Sequence, residues 1–252
     1  VLCLVASAAS ALTFLSGFGL GTLLLPAFAL FYPIDQAVAS TAVVHFLNGL
    51  FKLALVGREA NRRVVLAFGL PAIAAALAGA WTLERLAGAA TIARYDLIGV
   101  EAEVTAAKLV IGLLLLAFTL FELVPRLKAI TFPRRLLPLG GALSGFFGGL
   151  SGLQGALRSA FLIRAGLSKE AYVGTGVVIA CLIDTGRLAV YVPAIIGRAS
   201  LDSGTLIAAV LAAFAGSWLG NHYLKRTTLH AVQRLVAIML AAFAAGLMLG
   251  LL

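Results

Sequence analysis

Long apolar runs separated by short polar stretches set the architecture of this chain. Eight apolar segments follow one another: Val1–Ile34, Gln36–Val56, Val64–Leu83, Val104–Val124, Leu136–Ile163, Ala171–Ile196, Thr205–Leu224 and Leu235–Leu252. Between them lie the polar stretches Gly57–Arg63, Thr91–Glu103, Pro125–Arg135, Gly197–Gly204 and Lys225–Arg234. About 20 consecutive apolar residues span the hydrocarbon core of a bilayer as a helix. The pattern therefore predicts an all-α polytopic membrane protein whose first partner is the lipid bilayer. The alternating strands of a membrane barrel are absent from it.

Two segments are too long for a single crossing. As one helix, Val1–Ile34 would measure roughly 51 Å, against a hydrocarbon core of about 30 Å. Both it and Leu136–Ile163 carry glycine clusters, Ser16-Gly17-Phe18-Gly19-Leu20-Gly21 and Ser144-Gly145-Phe146-Phe147-Gly148-Gly149-Leu150-Ser151-Gly152. One reading is a tilted helix that uses glycine for close packing. The other is a pair of half-helices with an unwound tip near Gly17–Gly21 and Ser151–Gly155, whose freed amides find protein, water or ligand.

Loop charge separates these readings. If both long segments are re-entrant hairpins, Arg58, Arg62, Arg63, Arg126, Lys128, Arg134, Arg135, Arg164, Lys169, Lys225, Arg226 and Arg234 share one face. The opposite face then receives Asp35, Asp96, Glu101, Glu103 and Asp202 with only Arg94 and Arg198. That arrangement obeys the positive-inside bias and places both termini outside; full crossings throughout do not obey it.

The chain also repeats itself. Ser16-Gly17 matches Ser151-Gly152, Ala37 to Thr41 matches Ala171 to Thr175, Ala78-Gly79-Ala80-Trp81 matches Ala215-Gly216-Ser217-Trp218, and Lys108-Leu109-Val110 matches Arg234-Leu235-Val236. The expected organisation is a first repeat over 1–124, a basic cytoplasmic linker over 125–135 and a second repeat over 136–252. Each repeat has four segments and a broken first one, and the two are inverted relative to each other, an architecture common among secondary transporters.

Composition closes off the soluble classes. Hydrophobic residues make up 62% of the 252 residues and charged residues 12%, against roughly 45–50% and about 25% in soluble domains. The net charge of +9 sits in short loops, as the topology bias requires, and no basic, aromatic-interleaved face favours nucleic acid. Cys3 and Cys181 lie in apolar runs and define neither a disulfide framework nor a metal site. No cofactor motif is present. The chain opens on Val1 without a charged leader, so residues ahead of it, but no cleaved signal, are expected.

Polar groups within apolar segments carry the candidate chemistry. Thr41, His45, Asn48 and Lys52 fall on one helical face. Asp184 and Arg187 are three residues apart, with Tyr191 one turn on. Gln154 sits at the second break and Arg158 just past it, with no carboxylate within four residues on its own segment. Unremarkable roles exist for each: a local ion pair for Asp184 and Arg187, an interfacial reach for Lys52, a hydrogen-bonded interior for His45 and an inter-helix ion pair for Arg158. The functional reading is an anion site at the breaks, where half-helix N-termini and arginine forks suit carboxylate, sulfonate or phosphate. Its expected members are Arg158 as principal contact, Gln154, Ser159, Ser16, Gly19, Gly21, Thr22, Ser151, Gly152, Gly155 and Asn48, with Lys52 and Arg187 setting the wider positive field. His45 and Asp184 are the candidates for coupling to a proton, if a proton or other ion is co-transported.

The stretches Gly17-Phe18-Gly19-Leu20-Gly21 with Pro26, Gly148-Gly149-Leu150-Ser151-Gly152-Leu153-Gln154-Gly155 and Gly166-Leu167-Ser168-Lys169-Glu170-Ala171 resemble the signature motifs of the TauE/SafE family of sulfite exporters and related sulfur-anion transporters. The resemblance runs over nearly the whole chain and departs from the usual pattern at Gln154, Ala156 and Arg158. It implies a secondary transporter of small, sulfur-containing oxyanions in a bacterial or archaeal inner membrane. An anion channel and an intramembrane enzyme using His45 or Asp184 are the alternatives. The second lacks any nucleophile–base constellation, metal motif or nucleotide loop.

Overall fold

The computed structural model describes residues 2–12, 20–97, 99–198, 203–223 and 230–252. In chain order the helices are α1 (Leu2–Leu12), α2 (Leu20–Ala29), α3 (Ile34–Val56), α4 (Arg62–Ala87), α5 (Ala106–Leu123), the short α6 (Pro125–Lys128), α7 (Leu137–Ser151), α8 (Gly155–Leu162), α9 (Lys169–Arg198), α10 (Ser203–Tyr223) and α11 (His230–Met248). Among the described residues, four stretches are long and apolar enough to cross a membrane: Ile34–Glu59, Arg62–Ala87, Ala106–Leu123 and Lys169–Pro193. Shorter apolar stretches cover Leu2–Ala11, Leu20–Ala29, Gly204–Leu219 and Val236–Met248. Large apolar side chains point outward, with Leu70 63%, Leu211 60% and Ile238 66% exposed. That surface suits lipid, and the protein is an integral membrane protein.

Both overlong segments are built from two helices. The 11 residues of α1 and 10 of α2, like the 15 of α7 and 8 of α8, each measure well under the roughly 30 Å core at 1.5 Å per residue. The members of each pair pack on each other. Of the first cluster, Ser16, Gly17, Phe18 and Gly19 lie outside the described residues, while Gly21 and Thr22 are helical within α2. The second break falls at Gly152, whose φ of 79° ends α7 in the left-handed conformation that glycine adopts without strain.

The glycines ahead of that break stay helical, so the interruption is confined to the expected Ser151–Gly155 stretch. Gly141, Gly145 and Gly149 sit one turn apart along α7, and a Cβ on any of them would overlap the carbonyl oxygen of Phe68, Ala72 or Ala76 on α4. Missing side chains let the two backbones touch, which is the small-residue packing of membrane helices. The close-packing reading therefore holds for this run, and the broken reading for the residues just after it.

The halves exchange partners reciprocally. α7 lies on α4, and α1, its counterpart by position in the other half, lies on α10. α3 meets α9, α5 meets α11, α4 meets α9 and α10 meets α3. The matched motif Ala78–Trp81 and Ala215–Trp218 performs one task twice. Gly79 faces the Phe146 carbonyl of α7 and Gly216 the Ser7 carbonyl of α1, at distances that leave no room for a Cβ. Trp81 and Trp218 are 56% and 55% exposed.

One stretch expected to be a loop is not. Residues of Thr91–Glu103 form most of an antiparallel hairpin, β1 (Ala93–Leu97) and β2 (Val100–Val104), the one pair of strands among the described residues. Alternation and a cross-strand pair explain it: Arg94 stands opposite Glu103, with Nη2 donating to Oε1 at 2.8 Å. Hydrogen bonds from Thr91 and then Arg94 hold the Glu103 carboxyl below its ordinary range. The hairpin is fastened to the end of the chain by Tyr95 Oη donating to the Leu249 carbonyl at 2.6 Å and Glu103 N to Gly250 O at 3.0 Å. The last helix, α11, begins at His230, so Arg234 is helical rather than part of a basic loop, and Lys225 and Arg226 lie outside the described residues.

Candidate anion site at the second helix break

Three elements bring ionisable groups together in the interior. α3 contributes His45, α9 contributes Asp184 and Arg187, and the turn between α7 and α8 contributes Gln154. Asp184 and Arg187 are fully buried and Gln154 is 2% exposed. The Asp184 carboxylate serves both sides. Its Oδ2 lies 2.6 Å from His45 Nδ1, and its Oδ1 accepts from Arg187 Nε at 2.9 Å and from Gln154 Nε2 at 3.3 Å. Arg187 Nη2 lies 2.7 Å from the same oxygen. The Gln154 amide passes the chain on, its Oε1 accepting from Arg158 Nη1 at 3.0 Å. The local ion pair expected of Asp184 and Arg187 thus exists, and it is one link in a five-residue network.

The two halves meet beside this network. A Cβ on Gly21 would stand 3.2 Å from the Gly152 carbonyl oxygen and 3.7 Å from Thr41 Cγ2. A Cβ on Gly152 would stand 2.8 Å from Arg187 Nη1. The guanidinium therefore occupies the space that any other residue at 152 would fill. Arg187 Nη1 and the Thr41 hydroxyl are buried and make no hydrogen bond among the described residues. Buried donors without partners are uncommon, because leaving one unmet costs roughly 1–3 kcal/mol.

The remaining expected members divide. Gly21, Thr22, Ser151 and Gly152 are buried around the crossing, and Gly155 opens α8 half-buried. Ser151 is used locally, donating to Phe147 O at 2.9 Å. Arg158 is half-buried, near Tyr172 and Asp184 in charge and beside Gly176 in space. Lys52 is half-buried on α3, close enough to Arg158 for their charges to act on each other. Ser159 faces away from the network. It is exposed in a cleft of about 260 Å³ with Phe121, Glu122, Lys128, Thr131 and Tyr172. Asn48 belongs elsewhere too: its Nδ2 donates to Ser10 Oγ at 3.2 Å, and its Oδ1 accepts from Ser217 Oγ at 2.7 Å. Those two serines lie 2.6 Å apart. This buried triad ties α1, α3 and α10 and leaves Asn48's amide engaged. Ser10 and Ser217 escaped sequence reasoning because serine in a small-residue run looks like packing. The only hint was Ser217's place in the repeated motif.

A lipid-facing helical bundle whose α7–α8 break carries a buried polar network is an arrangement suited to membrane transport. The family model described as sulfite exporter TauE/SafE matches residues 2–247, nearly the whole chain, and the protein belongs to that family. No curated protein and no solved structure matches it. It is accordingly a membrane transporter of small anions rather than a catalyst.

Proposed function

We propose that this transporter carries small oxyanions, sulfur-containing ones foremost, and binds them at the Gly21–Gly152 crossing, with Arg187 Nη1 and the Thr41 hydroxyl as direct donors. The supporting observation is those two buried donors, unpartnered among the described residues, on either side of the crossing. Two arginines, Arg187 and Arg158, act on the locality of Asp184, so an anion bound there meets positive charge from both. Arginine's planar fork suits the oxygens of sulfite or a sulfonate. Arg158 lies one link further out, through Gln154, and serves as the second cation. The sequence reading gave it the leading place and Arg187 the background one; the open hydrogen-bonding capacity favours the reverse.

The donors and Asp184 are at most 1% exposed, so an anion reaches them only when helices move. The reciprocal packing of the halves supports alternating access by an inverted pair of repeats. Counterflow in proteoliposomes tests the carrier. Preloaded sulfite should accelerate uptake of labelled sulfite, saturably, with sulfonates competing better than carboxylates. Flux that neither saturates nor shows counterflow would identify a channel instead. The inverted relation is tested separately. In a background with Cys3 and Cys181 replaced by serine, cysteines at the exposed positions Asp96 and Arg134 should react with impermeant maleimide from opposite sides. Reaction of both from one side would end the inverted assignment.

A further inference from the structure

We infer that His45 is a proton-binding site linked to the anion site, so that the transporter moves its anion together with a proton. The inference rests on the anion site proposed above and specifies its coupling ion. His45 does not touch the proposed anion position. It shares Asp184 with it: His45 Nδ1 lies 2.6 Å from Oδ2, while Arg187 holds Oδ1. A carboxylate that accepts at Oδ2 fixes the neutral imidazole as the tautomer with its hydrogen on Nδ1, leaving Nε2 as the nitrogen that takes up a further proton. The side chains differ in access as well. That of His45 is 15% exposed, whereas those of Asp184 and Arg187 are 0% exposed. His45 is therefore the less enclosed member of the pair.

Charge explains why binding of the two ions favours each other. The charged and titratable groups around the pair are Lys52 on α3, Glu84 on α4, Arg158 on α8, and Tyr172, Cys181, Arg187 and Tyr191 on α9, with uncharged Gln154 closing the α7–α8 turn. Adding a proton to His45 raises the positive charge beside Arg187, and adding an anion at Arg187 lowers it. Each ion lowers the free energy of binding the other, and the linkage is reciprocal. The bound anion also draws on the guanidinium that otherwise neutralises Asp184, so that the imidazolium becomes the carboxylate's nearer counter-charge. No bond between heavy atoms is made or broken. One proton moves from water to Nε2 as one anion binds, and both leave on the other side.

Methanesulfonate is the probe, because it carries no titratable proton near neutral pH, with sulfite as the companion substrate. In wild-type proteoliposomes loaded with a pH-sensitive dye, inward methanesulfonate gradients should acidify the lumen. In detergent, wild-type affinity for methanesulfonate should weaken about tenfold from pH 5.5 to pH 8, within the usual range of linkage between two sites. His45→Gln, which keeps a hydrogen bond to Asp184 within reach, should melt near wild type, lose acidification and show a methanesulfonate affinity independent of pH. Wild type that transports methanesulfonate with no lumenal acidification and a flat affinity profile would overturn the inference without any variant, and leave the anion site standing. His45→Gln that still acidifies the lumen would overturn it as well. Wild type that exchanges neither sulfite nor methanesulfonate would overturn the anion site itself, and this inference with it.

Discussion

Gly145→Leu should yield no folded protein, and even Gly145→Ala should lower the melting temperature in detergent by about 6–12 °C. The second figure follows from overpacking of about 3 kcal/mol at roughly 2–4 °C per kcal/mol for a chain of this size. A Cβ at 145 meets the Ala72 carbonyl oxygen, its carbon and its Cα together. All three belong to backbone in the middle of α4, so no rotamer change relieves the overlap; only separation of the helices does. Separation in turn unpacks Gly141 from Phe68 and Gly149 from Ala76, and it loosens Gly79 against Phe146. Gly88→Ala is the matched control. Its Cβ would stand 3.5 Å from Glu84 O, in ordinary contact, and φ there is −83°. That variant should melt within about 2 °C of wild type, as exposed substitutions free of such clashes do. Thermal unfolding followed by size-exclusion decides the matter. A Gly145→Ala protein as stable as its Gly88→Ala counterpart would show that the α4–α7 contact is looser than the structure has it.

The same glycines show how far the chain can be read without coordinates. Hydropathy located the membrane helices, because a span of about 20 apolar residues is a property of composition and length. Excess length located both divided segments, and the second break lies within the expected Ser151–Gly155. Sequence could not separate the two uses of glycine within one run. Gly145 and Gly152 are the same residue type seven positions apart. One permits a helix to touch its neighbour and the other permits a helix to end, and the difference lies in what stands opposite. The hairpin at Ala93–Val104 was missed for a related reason. A charged, alternating stretch reads as a loop until its partner strand and its anchors at Leu249 and Gly250 are in place. Among polar residues, spacing brought His45 and Asn48 onto one face of α3, yet one joins Asp184 and the other Ser10 and Ser217. Periodicity defines a face, and the neighbouring helices decide how that face is divided.

Arg187 is the residue whose loss should weaken anion binding most, and its test has to separate affinity from folding. Removing the guanidinium alone leaves Asp184, fully buried, with hydrogen-bond contacts to His45 and Gln154 but without its arginine. Breaking one side of a buried ion pair typically costs 3–5 kcal/mol, so Arg187→Gln is expected to compromise the fold and by itself proves little. Removing both charges avoids that penalty, since replacing a buried pair as a unit is often close to neutral. In Asp184→Asn/Arg187→Gln, the new amides retain hydrogen-bonding capacity toward His45 and Gln154, and monodisperse protein with near-normal melting is expected. The anion then loses its charged donor in a desolvated place. A charge-assisted hydrogen bond is worth roughly 1.5–3 kcal/mol, so losing the one from Arg187 Nη1 corresponds to a loss of about tenfold to a hundredfold in sulfite affinity. Arg158→Gln removes the outer cation while Gln154 keeps its bond to Asp184, so a smaller loss of about tenfold is expected, with the protein folded. Calorimetry or quenching titrations with sulfite on the three proteins give the order directly. If the double variant folds and binds sulfite as wild type does, the anion does not sit at Arg187. If Arg158→Gln proves the more damaging of the two, the leading contact lies at the mouth of α8 and not at the crossing of the two halves.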